Sequence, residues 1–284
     1  MNKHGMMYFK KDGKNMLDPS YTIDTEALCY KHHLSTSPLG GLFAMHAHNM
    51  YELLYFVSGD ATLVIEDRKY KLKNGDLILI RPSKYHFIQI DSSVDYERYD
   101  VLFDEKTLGI SQTAMISKDT EVINLSGNTI ADNIFRKFDY YFSKLDRNDF
   151  ISVITLLLKE LFFNLSINQA YFATEYSIIH PLLSDVLKYI NSNLFTIKSV
   201  REIANTLFVT ESYIFRLFKS ELKNSPKKYI TNKRLLYSQN LILMGGKPTE
   251  IYEDCGFNDY TTFYRSYVKF FGHSPSTDRK NSYS

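Results

Sequence analysis

Two sets of side chains in the last third of the chain could read a nucleic-acid groove. Ser212, Phe215, Arg216 and Lys219 stand three and four residues apart, the interval at which helical side chains project together. An arginine on such a face can bond O6 and N7 of one guanine, worth roughly 1–3 kcal/mol of discrimination against the wrong base. Tyr260, Thr261, Tyr264 and Arg265 repeat the arrangement farther along. Arg216 and Arg265 are the candidates for base readout, Ser212, Tyr260 and Thr261 for phosphate or base contact, and Phe215 and Tyr264 for packing on thymine methyls. Lys219 and Lys228, with Lys227 and Lys233, are candidates for holding the phosphate backbone, although a solvated charge is the commoner role of any one surface lysine.

Positioning these faces takes one helix-turn-helix pattern written twice, over 198–220 and 248–270. In the first copy Ile203, Ala204, Leu207, Ile214, Leu217 and Phe218 recur at helical spacing and form the core side, with Ala204 small where two helices cross. The second copy leaves Phe263 and Tyr267 for the core. Thr210 and either Asn258 or Asp259 suit the caps of the second helices, because a short side-chain oxygen can accept an unpaired N–H of the first turn. Between the copies, Pro226 to Met244 has no Gly or Pro after its first residue and predicts one long helix ended by Gly245-Gly246. At 1.5 Å per residue it spans about 28 Å, compatible with two helices entering a major groove one turn, roughly 34 Å, apart.

Charge follows this division. The chain of 284 residues carries a formal +2, but 177–284 holds 15 Lys/Arg against 9 Asp/Glu, a net +6, and 1–176 holds 19 against 23, a net −4. A basic C-terminal part meets what phosphate contact requires. Cys29 and Cys255 lie in different parts of the chain without C-x-x-C spacing, so neither a disulfide framework nor a zinc ribbon is supported. No run of 18 apolar residues and no signal-like start is present, and a cytoplasmic protein is expected, with no membrane partner.

The two copies joined by a helix resemble the DNA-binding domain of the AraC/XylS family of transcription regulators. The matching residues are Arg-Leu-Phe-Lys (Arg216 to Lys219), Ser-Pro-x-x-Tyr (Ser225 to Tyr229), Arg234, Cys-Gly-Phe-x-Asp (Cys255 to Asp259) and Gly-x-Ser-Pro (Gly272 to Pro275). Departures are Lys223 for the usual Gly, Tyr252 for a small Ala at a close helix crossing, Tyr267-Val268 for Phe-Lys and Asp278 for the final Tyr. The resemblance implies a double-stranded DNA partner, a small-molecule effector, a homodimer, contact with the transcription machinery, and no enzymatic activity or catalytic residues.

Upstream, Gly40-x5-His46-x-His48-x3-Glu52-x6-Gly59 resembles the first motif of the cupin superfamily, and Gly75-Asp76 with Pro82-x3-His86 a partial second motif in which Lys84 replaces a Gly. Short strands are expected over parts of 21–34, at 61–65, 70–72, 77–80 and 96–103, arguing for a β-barrel or jelly roll. With alternate strand residues pointing inward, His46, His48, Glu52 and His86 could hold Fe, Mn, Ni or Zn, or line an effector pocket without any metal. Arg81, Tyr85 and Arg98 extend that candidate pocket. No cofactor is required on this reading; a divalent metal is the one the residues allow. The resemblance permits a sugar effector, and the rival reading is a metal-dependent cupin enzyme fused to a DNA-binding domain.

After the barrel the period changes to 3.6: one helix runs from Ile130 to near Leu145, and a second, capped by Asp149, carries the stripe Val153, Ile154, Leu157, Leu158, Leu161, Phe162 and Leu165. That stripe serves either the protein's own barrel or a homodimer seam. The expected class is α+β in two domains. A cupin-like β-barrel with following helices occupies 1–167, of which 1–20 is read as an arm; 168–180 is a linker; and an all-α DNA-binding domain occupies 181–284.

Overall fold

The computed structural model describes residues 21–25, 28–36, 38, 45–108, 120–167 and 175–281. The expected N-terminal arm, Gly40 of the first cupin-like motif, and 168–174 of the expected linker lie outside the described residues.

Two antiparallel sheets form the N-terminal domain. One has six strands in the order β1 (Tyr21–Asp24), β2 (Leu28–Ser35), β8 (Tyr96–Phe103), β3 (Tyr51–Ser58), β6 (Asp76–Ile80) and β9 (Val122–Asn124). The other runs β10 (Ser177–Ile178), β5 (Arg68–Lys71), β4 (Ala61–Ile65) and β7 (His86–Ile90). Apolar runs such as Leu53 to Val57 and Leu77 to Ile80 lack alternation because the larger sheet is covered on both sides. Leu54, Phe56, Ile78 and Ile80 face the inter-sheet core; Leu53, Tyr55, Leu77 and Leu79 face helices.

Besides the short α1 (Glu105–Leu108), those helices are α2 (Thr129–Phe142) and α3 (Arg147–Ile167). Asp146, not Asp149, caps α3: its Oδ1 accepts from the N–H groups of Asn148 and Asp149. The apolar stripe is consumed by the protein's own core, where Ile154, Leu157, Leu158, Leu161, Phe162 and Leu165 are buried with α2 and the sheet. A different set stays outside, with Leu156 65%, Phe163 51% and Ile167 78% exposed. By length and composition α3 could cross a membrane, but 44% of its apolar window is buried within this fold.

Acids on α2 bind it to the sheet. Asp139 accepts from the hydroxyls of Tyr30 and Tyr99 at 2.8 and 2.9 Å and lies 3.0 Å from His32 Nδ1, whose Nε2 is 3.2 Å from Glu97. Burial opposes charge on His32, but Asp139 and Glu97 outweigh it and lift the imidazole from 6.5 to about 9. A folded-state value raised this way stabilises the fold fully below pH 6.5, and that stability is lost as pH rises through about 9. Denaturant midpoints should therefore fall between pH 6 and 9.5 by an amount equivalent to roughly 2–3 kcal/mol, and His32→Gln should flatten the profile; equal slopes in both proteins would contradict the assignment.

The C-terminal domain is all helix: α4 (Pro181–Ser192), α5 (Val200–Thr206), α6 (Glu211–Glu221), α7 (Pro226–Leu243), α8 (Pro248–Ile251), α9 (Tyr260–Phe271) and α10 (Pro275–Asn281). The chain reaches it along the barrel edge, since Ser177 and Ile178 pair with Lys69 and Arg68 and Ile179 N–H donates to Asp67 O at 2.9 Å.

Candidate nucleic-acid interface and barrel site

Helix α6 opens on Thr210, whose hydroxyl accepts from Tyr213 N–H, and α9 on Asp259, which accepts from Thr262 N–H. These caps fix which way each helix faces. In α6, Ile214, Leu217 and Phe218 are buried while Ser212, Arg216 and Lys219 are exposed. The Arg216 guanidinium lies 5.4 Å from the Tyr213 ring centroid, a cation–π contact that steadies it on the helix surface. Phe215 is half-buried against the domain core and offers only part of its ring.

In α9, Phe263 and Tyr267 are buried, and Thr261, Tyr264 and Arg265 are exposed. Tyr260 is half-buried, its ring 5.8 Å from Tyr252 and 5.9 Å from Phe263. Tyr252 closes a helix of only four residues, α8, and its hydroxyl donates to Glu253 at 2.8 Å.

The expected phosphate lysines divide. Lys227 and Lys228 are exposed on the first turn of α7. Lys233 is withdrawn, its Nζ 2.7 Å from Glu66 Oε1 with only 10% and 7% of the two side chains exposed. The reason is tertiary: that side of α7 faces the barrel.

Arg234, also on α7, is a strut. Its guanidinium donates to the carbonyls of Leu194 at 2.8 Å and Ile197 at 2.6 Å, ahead of α5, and of Gly256 at 2.7 Å, in the turn before α9. A Cβ on Gly256, which has φ +82°, would stand 2.8 Å from Arg234 Nε, so the strut requires glycine there. Lys223 adopts φ +51°, the left-handed conformation that the usual Gly would take without cost. Phe208, which sequence reasoning missed, is 95% exposed on the turn between α5 and α6, also at positive φ.

Within the barrel, a cavity of about 30 Å³ is lined by Lys31, His46, Glu52, His86, Arg98 and Asp100, with Leu54, Ile80, Ile88 and Leu102. Such a volume holds on the order of two waters. Arg98 donates to Asp100 at 2.9 Å and to the Tyr96 hydroxyl at 2.7 Å, and His33 Nε2 lies 3.1 Å from Asp100. Burial would raise the Asp100 carboxyl, but Arg98 and His33 hold it below the usual carboxylate range. Arg81 and Tyr85 are not part of this lining: Arg81 donates to Thr120 O at 3.0 Å, and Tyr85 stacks on Tyr229 of α7 at 4.5 Å. Lys31, His33 and Asp100 were not anticipated, since only the register that pairs Lys31 with Asp100 and His33 with Arg98 brings them together.

The ligand atoms of His46, His48, Glu52 and His86 lie within 4.8 Å of one another, and all but His46 are buried. His48 Nδ1 is 2.9 Å from Met50 O and His86 Nδ1 is 3.0 Å from Lys84 O. Carbonyls only accept, so Nδ1 carries the proton on both rings and each neutral ring turns a bare Nε2 inward. Those nitrogens stand 3.0 and 2.9 Å from the same oxygen, Glu52 Oε2. Lone pairs facing a carboxylate require a positive centre, either a second proton or a cation. Fixed imidazole tautomers with Nδ1 bound to backbone carbonyls are the outer support that metal-bound histidines use. The residues therefore fit a divalent ion.

Residues 203–281 match the family model described as a helix-turn-helix domain, and 39–123 the one described as an AraC-like ligand binding domain. The chain is 32% identical over 89 residues to the probable transcriptional regulator LumQ of Photobacterium leiognathi, covering 31% of this chain and 36% of that protein, about a third of its length. It is 24% identical over 226 residues to the lactose operon transcription activator of Staphylococcus xylosus, covering 78% and 80% of the two chains. It is 23% identical over 261 residues to the raffinose operon transcriptional regulatory protein RafR of Pediococcus pentosaceus, covering 83% and 87%.

Proposed function

Because this chain belongs to the AraC family of transcription regulators, we propose that it reads duplex DNA with α6 and α9 in response to a ligand held by its barrel. The observation that carries this reading is the pair of capped helices whose opposite sides are core and whose free sides present Ser212, Arg216 and Lys219, and Thr261, Tyr264 and Arg265. Arg216→Ala should weaken binding to a selected duplex roughly 5- to 150-fold and relax preference at one base pair. In the same assay Lys228→Ala should lower the salt slope by about one for every sequence. An Arg216→Ala protein with an unchanged footprint would refute the readout role. We read the chain as a cytoplasmic regulator and not an enzyme, consistent with relatives that are regulators.

For the ligand, the operons named for two relatives favour a sugar, whereas a cavity of about 30 Å³ favours something far smaller. The inward-facing Nε2 atoms of His48 and His86 against Glu52 favour a single divalent cation, held by His46, His48, Glu52 and His86. The ion would supply the positive charge that this donor set needs and cross-link the 46–52 segment to β7. Elemental analysis after purification and dialysis against Co(II) should give one ion per chain, and Glu52→Gln should abolish it; a thermal shift with sugars and none with ions would reverse the choice.

We also propose a homodimer in which the outer face of α3, with Leu156, Phe163 and Ile167, meets its symmetry mate. Light scattering of Leu156→Glu would report a monomer if that face is the seam.

A further inference from the structure

The two segments that carry the candidate cation ligands are the same segments on which the DNA-binding domain sits. His46 and His86 bridge each other through their backbones, His46 N–H donating to His86 O at 3.1 Å and His86 N–H to His46 O at 3.0 Å. One residue from each ligand-bearing position, the contacts pass to helix α7.

Beside His86, the Tyr85 ring stacks 4.5 Å from Tyr229, and Tyr229 meets Phe218, a core residue of α6, at 5.6 Å. Beside His48, the Asn49 amide donates to Leu236 O at 2.8 Å and Gln239 Oε1 at 2.9 Å. Gln239 in turn donates to Asp278 at 3.0 Å, and Asp278 accepts the hydroxyl of Tyr267, a core residue of α9. Ser83 fastens the two segments, with its N–H on His48 O at 2.7 Å and its hydroxyl on Asn49 Oδ1 at 2.9 Å. Each reading helix is thus joined to one ligand-bearing segment through a separate run of side chains.

We propose that occupancy of the His46, His48, Glu52 and His86 site by a divalent cation is read out as DNA affinity through these two arms, Tyr85–Tyr229–Phe218 to α6 and Asn49–Gln239–Asp278–Tyr267 to α9. The inference rests on the cation reading above. An ion drawing His46, His48 and His86 to one point fixes the 45–49 segment against the start of β7, and with it the spacing of Asn49 and Tyr85 under α7. Without the ion those two supports keep the His46–His86 bridge, the Ser83 contacts and the Glu52 oxygen shared by His48 and His86, all weaker than bonds to a metal, and the seat of α7 can then take a second arrangement. An effector acts through such a difference in its affinity for two arrangements, and DNA must shift ion affinity by the same factor that the ion shifts DNA affinity.

The test uses the full chain, Co(II) as the probe ion and a duplex selected from a random pool. Co(II) absorption gives occupancy, and fluorescence anisotropy gives DNA affinity with and without ion. The wild type should show a DNA-affinity ratio of roughly 5- to 150-fold between loaded and chelated protein, the usual range of coupling between two sites. Asn49→Ala, which removes no ligand, should still bind one Co(II) but bring the ratio toward one; Gln239→Ala cuts the same arm from the other side if Asn49→Ala does not fold. Full Co(II) occupancy with equal DNA affinity in both states overturns the coupling and leaves the cation site standing. Both variants retaining the wild-type ratio also overturns it. A wild type that takes up no Co(II) overturns the cation reading, and this inference with it.

Discussion

Arg234→Ala should destabilise the DNA-binding domain by roughly 3–5 kcal/mol, the largest effect expected of any single substitution there. The guanidinium supplies three hydrogen bonds to main-chain carbonyls, two just ahead of the first helix-turn-helix unit and one in the turn of the second, and alanine leaves all three carbonyls without that donor. Burial disfavours the charge, lowering the pKa of Arg234. The carbonyl contacts are what hold a cation in that position. Lysine cannot substitute, because one ammonium on a flexible stem cannot reach three acceptors fixed by a planar fork. Thermal unfolding should show a fall on the order of 10 °C or more for both Arg234→Ala and Arg234→Lys. A shift of about 2 °C or less in the alanine variant would mean that the two units are held together by the apolar core alone.

Glu66→Ala should cost about as much, roughly 3–5 kcal/mol, but the loss should appear as undocking of the two domains. Glu66 sits on the β4–β5 turn at φ +53°, and its carboxylate collects the Lys233 ammonium, the Tyr229 hydroxyl and the Tyr85 N–H. Burial alone would raise this carboxyl, and Lys233 with Tyr229 and the Tyr85 amide holds it below the usual range. Removing it strands the ammonium of Lys233 in the interface. The double variant Glu66→Leu, Lys233→Met should recover most of the loss, since the penalty comes from an uncompensated charge. Because the folded-state pKa is depressed, the contact is fully present above pH 4.5 and is lost as pH falls below it. Limited proteolysis around 168–180 reads the undocking directly. Equal cleavage rates for wild type and Glu66→Ala would show that Ser177–Ile178 pairing and the Asn49 contacts suffice without the ion pair.

Much of the DNA-reading face was legible because an amphipathic helix declares its own orientation. Caps at Thr210 and at Asn258 or Asp259, core positions at Phe263 and Tyr267, and the long helix from Pro226 follow from local rules, and the fold realises them with Asp259 as the second cap. Where a residue's role depended on another domain, local reading failed. Lys233 looks like its neighbours Lys227 and Lys228 until α7 is laid against the barrel, and Tyr85 looks like pocket lining until its ring meets Tyr229. Strand β3 was not picked out, because the larger sheet is buried on both faces and loses the alternation that marks a strand; β7, in the smaller sheet, was missed as well.

Residue types and spacing alone carry the two-part chemistry of this chain: a basic domain with two helix-turn-helix units, and three histidines and a glutamate at spacings that share one interior. Both depend on periodicity and residue type, which are properties of short stretches. The folded chain brings Lys31, His33 and Asp100 into the barrel interior, sets Glu52 against two imidazole Nε2 atoms, and places under the linker helix the segments that bear the candidate ligands. These depend on strand register and domain docking, set by pairings between residues as far apart as Glu66 and Lys233, and no local pattern encodes such a distance.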